Sequence, residues 1–230
     1  MNRSCAACRR SSDLAWTSAC AQPPVRGVTS DPADFEPDRG RTDVRVALAF
    51  AEASVIFEAT GDVEVRTNRA RWRGAPGAYH ATVRAGELVL TAPSGGRVTA
   101  PRHIELRTAD PAPWRHDGDR FAGALTLRRN DDDTVTLINT LPVETYLRGV
   151  VPWEIGRPGG DARAAVEAQA IAARTYTYAR LGRWDEYGVD LYDDVRDEVY
   201  RGLSGTAEIC DEAIRATAHR VAVRDGELIR

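Results

Sequence analysis

Eight short runs of alternating apolar and polar residues follow one another between residues 44 and 139. Turn-forming residues bound these runs, as in Thr60-Gly61-Asp62 and Ala85-Gly86. Strict alternation places side chains on opposite faces of a strand, and short polar connections favour antiparallel pairing. The sequence therefore predicts a β-rich region over residues 43–140, with strands at 44–50, 54–59, 63–67, 79–84, 87–91, 103–108, 122–128 and 134–139.

The apolar period changes after Asn139. Four apolar residues then have the spacing of one helical face: Val143, Tyr146, Leu147 and Val150. This spacing predicts a short helix that begins after Pro142 and ends at Pro152, because proline is accepted in a first turn and interrupts a helix interior. A loop is predicted over residues 153–160.

Residues 162–181 are rich in Ala and contain neither Gly nor Pro, which predicts a long helix with Asp161 at its N-cap. The small side chains of this helix are expected to let another backbone approach closely; they belong to Ala165, Ala168, Ala172 and Ala173. A further helix is predicted over 206–219, with Cys210 packed as a small apolar residue. A hairpin is predicted around the Asp225-Gly226 turn.

Composition excludes several classes of protein. The 31 basic and 34 acidic residues give a net charge of -3, so no overall basic field attracts nucleic acid. The longest apolar run spans residues 46–51, far short of the roughly 18 residues that a transmembrane helix requires. All basic residues are Arg, which excludes Lys-based covalent catalysis.

Residues 1–42 are predicted to form a poorly ordered leader and linker. Arg3, Arg9 and Arg10 precede a short apolar stretch that ends at a small-residue cleavage pattern, Ala19-Cys20-Ala21, which indicates an exported protein, periplasmic or cell-wall associated. The spacing of Cys5 and Cys8 is that of a redox or zinc pair, but no second pair follows. An unstructured leader is therefore the favoured interpretation.

One carboxylate stands out in the predicted loop between the two helices. Glu154 is flanked by Trp153 and Ile155, and a carboxyl group held against an aromatic wall loses hydration. Its pKa then rises, which allows it to act as a general acid near neutral pH. The alternative is a solvated Glu that caps the following helix.

Three motifs occur in a fixed order. They are Tyr146-Leu-Arg-Gly-Val-Val-Pro-Trp-Glu154, Ala164-Ala-Val-Glu-Ala-Gln169-Ala-Ile-Ala-Ala-Arg174-Thr175-Tyr176, and Val189-Asp-Leu-Tyr-Asp193 with Val199-Tyr200-Arg-Gly202. In this order they resemble the SpoIID/LytB family, over residues 139–228. The resemblance implies a cell-wall protein, either a lytic transglycosylase that cuts peptidoglycan glycan strands or an enhancer of a cell-wall amidase.

The resemblance also implies roles for individual residues. Glu154 falls on the catalytic glutamate of the family, and Arg174 on an arginine implicated in the site. Trp153 and Tyr200 are candidates for substrate binding, with core packing as the alternative for Tyr200. For Arg174 the alternative is a contact with Glu167 along the same helix.

Gln169 lies about 140° from Arg174 around a helix of 3.6 residues per turn. The two side chains therefore cannot both face the centre of one cleft. This predicts a packing role for Gln169.

The sequence departs from the family pattern in three places. Many members have Cys-Asp-Thr-Thr-x-x-Gln-Val-Tyr where this chain has residues 192–200, so the zinc-ligating cysteines of some members are Tyr192 and Asp197 here. Asp193, Asp194 and Asp197 offer oxygen ligands for a hard cation, but a solvated acidic loop is the favoured interpretation, and no metal is predicted. Residues 156–160 form an insertion after Glu154. Family members also continue into a Ser- and Gly-rich segment, so residues 141–230 are interpreted as a C-terminally incomplete catalytic segment.

We therefore expect an α+β protein in which antiparallel strands precede a helical, SpoIID-like catalytic segment. The expected function is cleavage of peptidoglycan glycan strands by a lytic transglycosylase-like mechanism, in cell-wall remodelling or sporulation, without a cofactor. The expected partners are glycan strands and a cell-wall amidase. The alternatives are a non-catalytic glycan-binding or amidase-enhancing module, or an inactive fragment.

Overall fold

The computed structural model of the chain describes residues 42–108, 112–156 and 162–229. It confirms an α+β fold with a β-rich N-terminal region. Fifteen strands occur in this part of the chain: β1 Asp43–Glu52, β2 Ser54–Ala59, β3 Val63–Arg66, β4 Arg71–Gly74, β5 Gly77–Arg84, β6 Glu87–Thr91, β7 Arg97–Ala100, β8 His103–Thr108, β9 Trp114–His116, β10 Asp119–Phe121, β11 Ala124–Arg129, β12 Val135–Pro142, β13 Leu191–Tyr192, β14 Val223–Arg224 and β15 Glu227–Leu228. The predicted leader and its cysteines, the N-cap Asp161 and most of the insertion lie outside the described residues.

The strands form two large sheets. One sheet has the order β13-β1-β12-β11-β8-β3-β4, and the other has the order β10-β9-β2-β5-β6-β7. Their pairings are antiparallel except that of β1 with β13, where Val46 lies opposite Leu191. This parallel pairing joins the first strand to the segment that follows the long helix. The predicted terminal hairpin is confirmed as β14 and β15.

All eight strands predicted from alternation are confirmed, three of them (β2, β6 and β8) with identical ends. Five strands were not predicted: β4, β7, β9, β10 and β13. Each contains only two to four residues, which is too short for alternation to appear in the sequence. Three of them (β4, β7 and β10) pair with the strand that precedes them in the chain, whereas β9 also pairs with β2 and β13 pairs with β1, both distant in sequence.

The single helix predicted before Pro152 is wrong. Two short helices occur instead, α1 Val143–Leu147 and α2 Val151–Ile155, and Pro152 lies in the first turn of α2. A first-turn residue has no intrahelical acceptor for its amide, so proline fits there. Consequently Trp153 and Glu154 are helical and do not belong to a loop.

The two longer helices are α3 Arg163–Tyr178 and α4 Glu208–Ala216. The expectation that the alanines of α3 meet another backbone is wrong for three of the four, because Ala165, Ala168 and Ala172 are exposed. The buried side of α3 carries Val166, Ala170, Ala173, Arg174, Thr175 and Thr177. Cys210 is buried on α4, as predicted.

One hydrophobic cluster contains side chains from both large sheets and from the helices, among them Phe57, Leu106, Tyr146, Val166 and Ile214. The helices therefore pack on the β-rich region through buried apolar contacts. Among the described residues, no helix is both long enough and apolar enough to cross a membrane.

Candidate active site around Glu154

Helix α2 presents two exposed neighbours, Trp153 and Glu154. The Glu154 amide donates to Val150 O at 3.1 Å, and this hydrogen bond closes the helical turn that carries the Glu154 side chain. Glu154 Oε1 accepts a hydrogen bond from the Val199 amide at 3.2 Å. The carboxyl group is exposed, so the loss of hydration expected from an aromatic wall is not observed.

Trp153 does not cover Glu154. Its indole Nε1 donates to Ser204 O at 3.1 Å, and its ring lies over Gly205, where a methyl group would come within 3.0 Å of the ring. The side chain nevertheless remains 48% exposed. About half of the Trp153 surface is therefore available to solvent, one residue before Glu154.

The segment that holds Glu154 is fixed by close backbone contacts. The Arg201 amide donates to Gly149 O at 3.1 Å, and a Cβ atom at Gly149 would lie 2.4 Å from Gly202 O. Gly202 in turn has a positive φ of 55° and lies against the carbonyl of Arg120. These two glycines bring the Val199 amide to the end of α2.

A second carboxyl group lies beneath this segment. Glu198 is only 6% exposed, and its Oε2 lies 3.3 Å from Tyr146 Oη and 3.4 Å from Thr177 Oγ1. Burial and, less strongly, the charge of Glu154 raise the pKa of Glu198 to about 8, although its hydrogen bonds with Tyr146 and Thr177 and the charge of Arg180 act to lower it. The carboxyl group that loses its hydration is thus Glu198.

Tyr200 lies in the core. It is 1% exposed, its hydroxyl donates to Asn139 Oδ1 at 2.9 Å, and its ring packs 4.8 Å from that of Tyr146. Of the two roles considered for Tyr200, this burial favours core packing. Burial also raises the pKa of its hydroxyl far above the ordinary value.

Arg174 is fully buried between helices. Its Nε and Nη2 donate to the two carboxylate oxygens of Glu144 at 2.7 and 2.9 Å. Nη2 also donates to Ile214 O at 3.2 Å, and Nη1 donates to Arg220 O at 3.1 Å. Every guanidinium nitrogen therefore has a protein acceptor, and Arg174 links α3 with α1, α4 and the segment after α4.

The alternative expected for Arg174, a contact with Glu167, is wrong. Glu167 lies one turn from Arg163 and pairs with it at 2.9 Å, whereas Arg174 turns inward to Glu144. Gln169 is half-buried on α3, in keeping with the packing role expected for it.

The acidic loop after β13, residues 193–198, contains a buried carboxylate that its sequence did not indicate. The description of Asp197 as a solvated residue is wrong, because its side chain is 1% exposed. Its oxygens accept from the Tyr192 amide and the Tyr176 hydroxyl, both at 3.0 Å. The two positions that carry cysteines in zinc-binding members are thus joined here by a hydrogen bond. Within residues 42–108, 112–156 and 162–229, no cluster of three or more metal-ligating side chains occurs.

Asp193 is a further partly buried carboxyl group on this loop. Burial and the neighbouring Asp194 raise its pKa to about 6, while the charges of His116 and Arg201 lower it. The His116 side chain is 10% exposed; its Nδ1 lies 2.9 Å from Ile56 O, and its buried Nε2 has no hydrogen-bond partner. The loop therefore carries two carboxyl groups with raised pKa values, Asp193 and Glu198.

The family comparison covers this site. Residues 131–223 match the SpoIID family, described as stage II sporulation protein. This segment is a SpoIID domain. It contains α1 to α4, Glu154, Arg174 and Tyr200, so the resemblance noted in the sequence is confirmed, and the chain is related to sporulation and cell-wall proteins.

A curated relative matches a similar length of chain. An uncharacterised protein of Brachyspira hyodysenteriae is 32% identical over 99 residues, which make up 43% of this chain and 26% of that protein. The chain thus matches about a quarter of this relative. The family comparison covers residues 131–223 of the chain.

Sequence reasoning selected Glu154, Trp153, Arg174 and Tyr200 but missed Glu198 and Glu144. The structure places Trp153 and Glu154 together at the surface, while Tyr200 and Arg174 are buried. One signal for Glu198 was available, since it stands where the family pattern has Gln. For Glu144 the sequence carried no comparable signal, because its partner lies 30 residues away.

Proposed function

We propose that the SpoIID domain of this protein cuts peptidoglycan glycan strands by a lytic transglycosylase mechanism in which Glu154 transfers the proton. The observation that carries the proposal is the exposed Glu154 carboxylate, fixed by the Val199 amide and adjacent to the exposed face of Trp153. Indole faces pack well against the apolar faces of other rings. A sugar stacked on Trp153 would therefore lie within reach of Glu154.

Glu154 performs both proton transfers in this mechanism. The protonated carboxyl donates to the glycosidic oxygen, and the bond from that oxygen to C1 of the muramic acid residue breaks. The resulting carboxylate removes the proton from the C6 hydroxyl, whose oxygen bonds to C1 and closes an anhydro ring. Glu154 ends protonated again, so one carboxylate completes the cycle without water, unlike the pair used by hydrolytic glycosidases.

Arg174 supports this chemistry from a distance in our proposal. Because its donors are occupied by Glu144 and by carbonyl groups, it holds α1 against α3 and so fixes the start of α2. The substrate contacts then fall to Trp153 and Glu154. Tyr200 contributes by packing beneath the segment that supplies the Val199 amide.

The decisive experiment incubates the 230-residue chain with peptide-stripped glycan strands and follows anhydro-muramic acid ends by mass spectrometry. We expect Glu154→Gln to abolish these products while its melting temperature stays within about 1 °C, because an exposed amide keeps the shape but transfers no proton. Glu186→Gln, at another exposed position, is the matched control and is expected to retain full activity. Activity of Glu154→Gln within a few-fold of the unaltered chain would remove Glu154 from the mechanism.

A second candidate function is a non-catalytic glycan-binding or amidase-enhancing module. The observation that favours it is the exposure of Glu154, because a solvated carboxyl group is a poorer general acid than a desolvated one. Sedimentation with insoluble glycan strands distinguishes the two functions. Binding that is lost with Trp153→Ala, without anhydro ends from the unaltered chain, would favour the binding module.

A further inference from the structure

Glu198 is placed to influence Glu154 through the backbone between them. The Val199 amide, which holds Glu154 Oε1 at 3.2 Å, directly follows Glu198 in the chain. Glu198 itself points away from solvent, between Tyr146 of α1 and Thr177 of α3. We therefore expect a movement of Glu198 to be transmitted to the amide that contacts the Glu154 carboxylate.

The hydrogen bonds around Glu198 fit an uncharged acid. Thr177 Oγ1 lies 2.8 Å from Ala173 O but 3.4 Å from Glu198 Oε2, so its single proton is committed to the helix carbonyl. The hydroxyl oxygen then faces Glu198 as an acceptor. A protonated Glu198 donates to this oxygen and accepts from the Tyr146 hydroxyl. An ionised Glu198 has no proton to donate, so its negative oxygen would face the lone pair of Thr177 Oγ1, which is unfavourable.

The groups that face Glu198 act on its charge in opposite directions. Tyr146 on α1, Glu154 on α2 and Tyr176 on α3 surround it, and Asp197 precedes it in the chain. Arg180, after α3, favours the carboxylate, but its guanidinium stacks on the Tyr176 ring at 3.3 Å and lies 3.9 Å from Asp197. The burial of Glu198 outweighs the attraction of Arg180, and its pKa rises to about 8.

We propose that Glu198 is a positioning residue for Glu154, which it serves as a buried neutral acid that keeps the Val199 amide on the Glu154 carboxylate. This inference rests on the proposed function of Glu154. Ionisation of Glu198 places a second negative charge close to Glu154 and forces a buried carboxylate to seek water. The Glu198–Val199 backbone then moves, and the amide contact is lost.

The test compares the unaltered chain with Glu198→Gln, which does not titrate. Both contacts involve Glu198 Oε2, and the amide nitrogen that replaces this atom donates to the hydroxyl oxygens of Thr177 and Tyr146. We expect the rate of strand cleavage by the unaltered chain, divided by the rate of Glu198→Gln at the same pH, to fall about tenfold between pH 7 and pH 9, across the pKa of Glu198. The ratio isolates Glu198 because the proton transfers of the mechanism are common to both chains. The rate of Glu52→Gln, an exposed carboxyl on β1, divided by that of Glu198→Gln, is expected to fall in the same way.

A second measurement makes the inference independent of catalysis. The amide signal of Val199, followed by two-dimensional NMR, is expected to shift near pH 8 in the unaltered chain. This step is expected to be absent in Glu198→Gln. An unaltered chain that fails to cut glycan but shows the step near pH 8 would refute the proposed function alone. The absence of this step in the unaltered chain, or a rate ratio between the two chains that does not vary with pH, would overturn the role of Glu198.

Discussion

The fully buried Arg174 donates hydrogen bonds to both carboxylate oxygens of Glu144, from Nε at 2.7 Å and from Nη2 at 2.9 Å. Bidentate pairs of this kind are directional, because the planar guanidinium matches the carboxylate. Glu144 lies on α1, whose end leads directly into α2 and Glu154. The pair thus connects the longest helix of the domain to the candidate catalytic turn.

Replacing Arg174 by Lys should destabilise the fold. Lys offers a single point of attachment, so one Glu144 oxygen and the carbonyls of Ile214 and Arg220 lose their donor. Lys keeps the positive charge opposite Glu144, so the cost is that of the lost charged hydrogen bonds, about 1.5–3 kcal/mol each. Urea denaturation measures this loss, and Arg163→Lys, in an exposed pair on the same helix, should change stability by less than about 0.5 kcal/mol. An Arg174→Lys variant with unaltered stability but no strand cleavage would instead place Arg174 at the substrate.

Glu198→Gln should stabilise the protein at neutral pH. Below about pH 4.5 both folded and unfolded chains carry the proton of Glu198, so the substitution has little effect. Between that pH and about 8 the unfolded chain releases the proton while the folded chain retains it, which progressively favours unfolding. The variant escapes this loss and should gain up to about 3 kcal/mol at pH 7.

Urea denaturation at pH 4, 5.5, 7 and 8.5 checks this expectation. The difference between the variant and the unaltered chain should grow with pH and level off above 8. Glu52→Gln is again the control and should give a difference that does not vary with pH. A constant difference for Glu198→Gln would mean that Glu198 is already ionised at neutral pH.

The sequence predicted what depends on local periodicity. Strands such as β2 and β6 alternate over five or six residues, and the ends predicted for them match those of the structure; the composition of residues 162–181 likewise indicates α3. The site depends on contacts between distant residues, such as Arg174 with Glu144 and Glu154 with Val199. Periodicity carries no information about these pairs, so the inward direction of Arg174 and the burial of Glu198 became visible only in the fold.

Gly149→Ala should weaken the site through packing alone. Gly149 does not have a positive φ, so the backbone accepts alanine, but a Cβ atom there would lie 2.4 Å from Gly202 O and 2.7 Å from the Tyr200 ring. Overpacking of this kind typically costs 1–3 kcal/mol. Thermal melting checks the loss, and Gly96→Ala is the control, since its nearest atom lies at 3.5 Å. A stable Gly149→Ala variant would show that the 199–205 segment moves without cost.

The last prediction concerns the loop that joins Tyr192 to Asp197. Because the buried Asp197 carboxylate already accepts from the Tyr192 amide and the Tyr176 hydroxyl, with Arg183 at 3.3 Å, the loop is held by hydrogen bonds. We therefore expect EDTA to leave the melting temperature unchanged. Asp197→Asn should lower stability by about 2 kcal/mol, since it weakens charge-assisted bonds, which corresponds to roughly 5 °C in a chain of this size. Asp194→Asn, in an exposed pair with Arg196, should shift the melting temperature by less than about 1 °C. Stoichiometric metal in the purified protein, lost with EDTA together with the fold, would contradict this account, because the loop would then depend on a bound ion.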